Sequence, residues 1–345
     1  MAEGARHPLV EVRGLEKHFP VQTGFVASLL HRGKVPTVKA VDGIDFEIGR
    51  GEVFGLAGES GSGKSTVGRL VLNLLEPTAG SVVFDGIDLS TLGTDEMRRL
   101  RSRMQIIFQD PLASLNPRMT IGEAVGHPLE IHQPSSTPAE RRRHVNEMLE
   151  AVGMAPPETF TSKYPHQISG GQRQRVVIAR ALVTRPELIV ADEPIAMADV
   201  SVRSLLLQLM IDLKEQFDLT YLFITHDLAT AKYVCDRIAV MYLGKVAEVG
   251  PLPDVYGSPL HPYTEALLEA VPVPDPRHRR TQPMPAGEIP NAIDPPPGCS
   301  FHPRCPLAVE GVCDVDVPKL EPAPESENLA HQAACHVRTG ALAKT

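Results

Sequence analysis

The chain lacks any apolar run approaching the ~18 residues that a membrane-spanning helix requires, so no transmembrane segment is expected. Met1 to Val10 also lacks the apolar core of a secretory signal. Clustered positive charge is scarce. The net charge is -8, and the basic runs Arg98-Arg99-Leu100-Arg101 and Arg141-Arg142-Arg143 are short enough to read as solvated helix faces. A nucleic-acid surface needs a denser array of Lys and Arg, so no nucleic-acid partner is expected. Cysteine is sparse, at five residues, and in a chain of cytosolic character these should be thiols or metal ligands rather than disulfides. What remains is a 345-residue globular sequence with 42% hydrophobic residues, long enough for a large core and more than one domain.

The stretch that organises the rest is Gly58-Glu59-Ser60-Gly61-Ser62-Gly63-Lys64-Ser65-Thr66, which fits G-x-x-x-x-G-K-[ST]. Val53-Phe54-Gly55-Leu56-Ala57 before it reads as a buried strand, and Thr66 to Leu75 after it carries apolar residues at helical spacing. A strand, a glycine-rich turn and a helix N-terminus direct backbone N–H groups and the helix dipole at a phosphate chain. Gly61 and Gly63 allow close approach, Lys64 reaches the outer phosphates and Ser65 offers its hydroxyl to Mg²⁺. The pattern specifies a nucleoside triphosphate site.

Other stretches fall into order around it. Leu9 to Leu15 and Ala40 to Ile48 alternate like strands, with an irregular insertion from Val21 to Val38 that contains the apolar knot Phe25-Val26-Ala27-Ser28-Leu29-Leu30, for which a small packed turn is favoured over contact with a membrane surface. Residues 120 to 160 are helical in pattern, with breaks expected at Pro128, Pro134, Pro138 and Pro156-Pro157. Ser169-Gly170-Gly171-Gln172 precedes an apolar helix and forms a second N-terminus suited to phosphate oxygens. Leu188 to Ala191 reads as a buried strand ending in Asp192 and Glu193, which suit a Mg²⁺ carboxylate and a water-activating base. A further strand from Leu219 to Thr225 delivers His226.

This succession of motifs resembles the ATP-binding subunit of ABC transporters over about residues 8 to 250. The resemblance implies an α/β P-loop NTPase fold: a RecA-like core, an antiparallel β subdomain and a helical signature subdomain at about 110-175, together spanning 1-255. Gly58 to Thr66 resembles Walker A, Gln109 the Q-loop glutamine, Ser169 to Gln172 the ABC signature, Asp192-Glu193 the end of Walker B, and His226 the switch histidine. Phe19 is the candidate for stacking on adenine. By the same resemblance Glu193 is the base, His226 contacts the γ-phosphate, Lys64 offsets charge on the transferred group, and Ser65, Gln109 and Asp192 complete the Mg²⁺ and water shell. Two cassettes would sandwich ATP, each site joining Walker A of one to the signature of the other. Gln109-Asp110-Pro111-Leu112-Ala113-Ser114-Leu115-Asn116-Pro117, Tyr164-Pro165-His166-Gln167 and Ser258-Pro259-Leu260-His261-Pro262-Tyr263 resemble the oligopeptide, dipeptide and nickel import branch. That branch implies a heterodimer with a second ABC ATPase subunit, two transmembrane permease subunits, an extracytoplasmic solute-binding protein and a peripheral place on the cytoplasmic face of the membrane.

Where the family usually reads Ser-Ala-Leu-Asp after Glu-Pro and one further residue, this chain has Ala196-Met197-Ala198-Asp199, which keeps the acid but loses the hydroxyl and the leucine. ATPase activity that depends strongly on the partner is expected. An ABC-type ATPase acting on DNA or ribosomes is the less favoured reading, because such proteins usually carry long coiled-coil insertions or two cassettes in one chain. A GTPase is disfavoured because the guanine-reading Asn-Lys-x-Asp is absent.

The remaining segment, 256-345, is read as a proline-rich extension. It carries Cys299, Cys305, Cys313 and Cys335 with spacing C-x5-C-x7-C-x21-C, a thiolate set able to hold an Fe–S cluster or Zn²⁺ and so staple a core-poor segment. The lack of a C-x2-C pair argues mildly against zinc. Resemblance to peptide-import ATPases implies a [4Fe-4S] cluster there. Cys235 stands apart and reads as a buried apolar thiol.

Overall fold

The computed structural model describes residues 7–21, 36–133, 135–271, 290–324 and 328–340. The apolar knot at 25–30, Pro134 and most of the proline-rich stretch at 272–289 lie outside the described residues. The strands, in chain order, are β1 (Val10–Pro20), β2 (Thr37–Ile48), β3 (Val53–Ala57), β4 (Ala79–Phe84), β5 (Ile87–Asp88) and β6 (Met104–Ile107). They continue as β7 (Leu188–Asp192), β8 (Thr220–Thr225), β9 (Arg237–Tyr242), β10 (Lys245–Pro251), β11 (Glu321–Pro322) and β12 (Gln332–Ala333). The chain divides into two compact units, Met1–Leu9 with Ile48–Val53 and Asp85–Ile224, and Val10–Glu47 with Phe54–Phe84 and Thr225–Thr345.

In the first unit β6, β7 and β8 run parallel, with Met104 beside Leu188 and Leu188 beside Thr220. Every residue of β7 and β8 is buried, as a parallel sheet covered on both faces demands, which is why Leu188 to Ala191 reads as an unbroken apolar run. The helix Gly170–Leu182 packs on the helices Ile121–His132 and Pro138–Ala151. Each starts at a reciprocal cap: Thr120 with Glu123, Thr137 with Glu140, and Ser169 with Gln172. Pro128 does not break the chain as expected; it sits inside Ile121–His132. That helix is held by its cap and by Ile121, Val125 and Leu129, four residues apart and all fully buried, which outweighs the one backbone hydrogen bond that proline removes. Pro138 opens its helix in the first turn, where a missing N–H costs little.

In the second unit, β2, β1 and β4 lie side by side, with β1 and β4 antiparallel in the register Val10–Phe84 and Val12–Val82. A separate ladder runs β11-β12-β10-β9-β3. β3 pairs with β9 in parallel, from Phe54 beside Arg237 to Ala57 beside Val240, and β9 to β12 pair antiparallel. The cysteine-bearing segment thus contributes two short strands to the ladder that contains β3, from which the phosphate loop springs.

Candidate nucleotide site

β3 is buried along its whole length and ends at Ala57, so the chain must turn abruptly at the glycines. Gly58 and Gly63 have φ of 146° and 106°. A β-carbon at Gly58 would stand 2.3 Å from the Met241 carbonyl oxygen, and one at Gly63 would stand 2.0 Å from that of Ala40. Main chain therefore crosses main chain at both points, and only glycine fits. Gly61, at φ 82°, is exposed along with Ser60, at the crest of the loop. Gly63 is the N-cap of the helix Lys64–Val71 and supplies no side chain to the first-turn N–H groups, which suits them to an anionic partner. Lys64 is 5% exposed. Its ammonium donates to the carbonyls of Gly58 at 2.8 Å and Glu59 at 2.7 Å and to Ser62 Oγ at 3.3 Å, so the charge is held within the loop. Ser62 is buried, while Ser65 and Thr66 are half-buried on the first turn of the helix.

Phe19 lies on β1, half-buried, with the Lys17 ammonium 5.2 Å from its ring centroid. His226 is exposed immediately after β8. The backbone around it is set by Asp227, whose N–H donates to Thr225 Oγ1 at 3.0 Å and whose carboxylate accepts from Ala229 N–H at 2.9 Å.

In the first unit Asp192 is 7% exposed at the end of β7. Glu193 follows with φ 48°, a left-handed conformation that costs a non-glycine residue on the order of 1–2 kcal/mol. Its N–H donates to Ile224 O at 3.0 Å, so the adjoining strand holds the strained residue in place. The carboxylate accepts a hydrogen bond from Gln109 Nε2 at 2.9 Å. The residue marked as base and the residue marked as water ligand, 84 apart in sequence, are thus in contact. Ser169 Oγ accepts from Gln172 N–H at 3.3 Å, and Gln172 Oε1 accepts from Ser169 N–H at 3.0 Å; Gly170 and Gly171 form the first turn between them. Asp199 is exposed at the N-cap of Val200–Phe217 without a side-chain capping bond, and Met197 beside it is 66% exposed.

Two contacts to the phosphate loop have no counterpart in the sequence reading. Tyr263 Oη accepts the Glu59 N–H at 2.9 Å across 204 residues, and Arg304 donates to Glu59 Oε2 at 3.3 Å across 245. No local spacing announces either one.

None of the five cysteines is in a disulfide. Cys235 is buried, its sulfur packed on Gly55 of β3. Cys299, Cys305, Cys313 and Cys335 line one cavity of about 10 Å³, with His302, Leu307 and His336. Leu307 N–H donates to Cys305 Sγ and Val309 N–H to Cys313 Sγ, each at 3.4 Å. Burial raises the thiol pKa of Cys299 and Cys335, and raises that of Cys305 to about 11, with the neighbouring cysteines adding to each shift. Among the described residues, the one trio of His, Cys or carboxylate ligand atoms all within 4.8 Å of one another is Glu16, His18 and Asp42, and no three cysteine sulfurs meet that limit. A single tetrahedral zinc, with Zn–S near ~2.3 Å, would draw its sulfurs closer than that.

Residues 41–196 match the ABC transporter family, and 247–313 match the oligopeptide/dipeptide transporter C-terminal region. The oligopeptide transport ATP-binding protein AppF of Bacillus subtilis is 44% identical over 340 residues, covering 98% of this chain and 99% of its own. A protein of Brucella ovis named for peptide import and ATP binding is 50% identical over 313 residues, 91% of this chain and 94% of its own. This chain belongs to the ATP-binding proteins of ABC transporters. Solved cassettes agree: MJ0796, dimeric with ADP and Pi, superposes with TM-score 0.61 at 31% identity over 70% of this chain and 98% of its own. As a member of the ABC family the chain is an ATPase with the P-loop NTPase fold, and ATP with Mg²⁺ are its expected ligands. No helix among the described residues is long and apolar enough to cross a membrane.

Proposed function

We propose that this ABC ATPase is the motor of an importer of oligopeptides or dipeptides. The observation that carries the reading is the full-length similarity to AppF, which extends through the C-terminal region peculiar to such transporters. Residues 1-255 form the cassette, with a helical subdomain at about 110-175, and 256-345 form the extension. The chain works with a second ABC ATPase, two permeases and an extracytoplasmic solute-binding protein, on the cytoplasmic face of the membrane.

In hydrolysis the loop from Gly58 to Thr66 grips the phosphates through its N–H groups, and Lys64 and His226 contact the terminal one. Glu193, oriented by Gln109, takes up proton density from the attacking water. Ser65, Asp192 and Gln109 would hold Mg²⁺, which would supply charge neutralisation at the outer phosphates. Phe19 stacks on the adenine. Ser169 to Gln172 and Asp199 complete the partner's ATP site, and the altered stretch at 196–198 makes turnover depend on that partner. Purified complex with its binding protein tests the reading: peptide should stimulate ATPase activity, and stimulation by nickel but not by peptide would replace the substrate.

For the four extension thiols we propose a [4Fe-4S] cluster rather than zinc, a reading supported by the N–H groups that donate to the Cys305 and Cys313 sulfurs. Such a cluster would cross-link the segment. Iron and visible absorbance after anaerobic purification are expected; iron-free, colourless protein counts against it.

A further inference from the structure

We infer that Tyr263 and Arg304 are positioning residues of the phosphate loop, so that the C-terminal extension is a working part of the nucleotide site. The inference rests on the loop binding ATP. Both residues act on Glu59, the second residue of the loop, by different routes: Tyr263 takes its backbone N–H at 2.9 Å and Arg304 takes its carboxylate at 3.3 Å. A neutral acceptor on the main chain and a cation on the side chain leave Glu59 little freedom to turn. Its carbonyl is also one of the two that hold the Lys64 ammonium, at 2.7 Å. Moving Glu59 therefore moves the lysine that must meet the outer phosphates.

Both anchors are themselves rigid. Tyr263 is 1% exposed, and its ring lies 4.7 Å from Tyr242 and 5.4 Å from Phe301. Its backbone N–H donates to His261 Nδ1 at 3.1 Å, while His261 N–H donates at 2.8 Å to Glu248, a carboxylate with no exposure on β10. The Arg304 side chain is 7% exposed, donates to Tyr242 Oη at 3.4 Å and stacks over Phe301 with 5.8 Å to the ring centroid. It belongs to the short turn His302–Arg304 between Cys299 and Cys305, so the thiol pocket sits one residue from a group that grips the loop. A loop held beforehand in its binding geometry loses less conformational freedom when phosphate arrives, and binds it more tightly.

The test uses the full chain in its assembled complex, with fluorescent trinitrophenyl-ATP for affinity and steady-state ATPase for KM and kcat. Tyr263→Phe keeps the ring and removes only the acceptor. It should raise Kd and KM roughly three- to tenfold, the scale of one lost hydrogen bond, while kcat and Tm stay near wild type. Arg304→Gln should act in the same direction, and Arg304→Lys should recover part of the loss by keeping the charge. In a Glu59→Gln background, Arg304→Gln should add nothing further. Unchanged Kd in Tyr263→Phe and Arg304→Gln overturns the inference, as does a fall of Tm and kcat together at constant KM, or an undiminished Arg304→Gln effect when Glu59 is already Gln. Wild-type binding in the same titration checks the ATP reading separately.

Discussion

The phosphate loop and the thiol pocket are both small turns of backbone around a polar centre, yet they are built in opposite ways. The loop is specified by neighbours in sequence: glycines whose β-carbons would strike main chain, a lysine turned back onto carbonyls five and six residues away and a hydroxyl two away, and a helix that starts at once. The four thiols of the pocket stand up to 36 positions apart, between Cys299 and Cys335, in a segment with few strands of its own, and His261 and Pro262 complete the lining from farther still. Sterics and hydrogen bonds hold the first. Burial of thiols and docking on β10 hold the second. A local motif survives in almost any surroundings that offer a strand and a helix, whereas a dispersed one depends on everything that folds around it.

The largest effect should come from Glu193→Gln, which removes the base and leaves the loop intact. Turnover should fall by roughly 10²- to 10⁴-fold while ATP still binds, read by ATPase assay beside nucleotide titration. Retained turnover would take Glu193 out of its role. Gly63→Ala attacks the loop itself. Its methyl would press on the Ala40 carbonyl at a φ reserved for glycine, so nucleotide affinity should drop about tenfold or more with a lower Tm, while the reactivity of the extension thiols stays unchanged.

Acid should weaken the other region. Burial holds the His261 pKa down to about 4 from 6.5, against the pull of Glu248. The folded chain keeps this imidazole neutral where the unfolded chain would protonate it. Its contribution is therefore present above pH 6.5 and is lost as pH falls from 6.5 toward about 4, by up to about 3 kcal/mol. Thermal melts between pH 7.5 and 5 should show the loss, and His261→Asn should flatten it, separating this imidazole from the adjacent Glu248–His331 pair at 2.7 Å. The smallest change lies outside both regions. Arg103 pairs with Asp85 and Glu187 at a partly exposed site, and Arg103→Ala should cost only about 1 kcal/mol, less in high salt, in a denaturant titration.

Much of the cassette could be read from its residues because each piece of it is local. Val53 to Leu75 announces strand, loop and helix; Leu188 to Glu193 announces a covered strand with acids at its end; Ser169 and Gln172 cap each other three residues apart. The proline rule failed at Pro128, where the buried face of one helix outweighed a local preference. The contact between Gln109 and Glu193 could be suspected from motif order, but its geometry could not.

By itself, the sequence determined the phosphate loop, the acidic strand end, the caps and the four thiols, because hydrogen bonds and sterics between near neighbours depend only on which residues stand there. Tertiary structure alone decided that Tyr263 and Arg304 reach Glu59 and that the extension extends the ladder of β3. Contacts across hundreds of residues follow from how separate elements bury their apolar faces together, and no spacing along the chain encodes that choice.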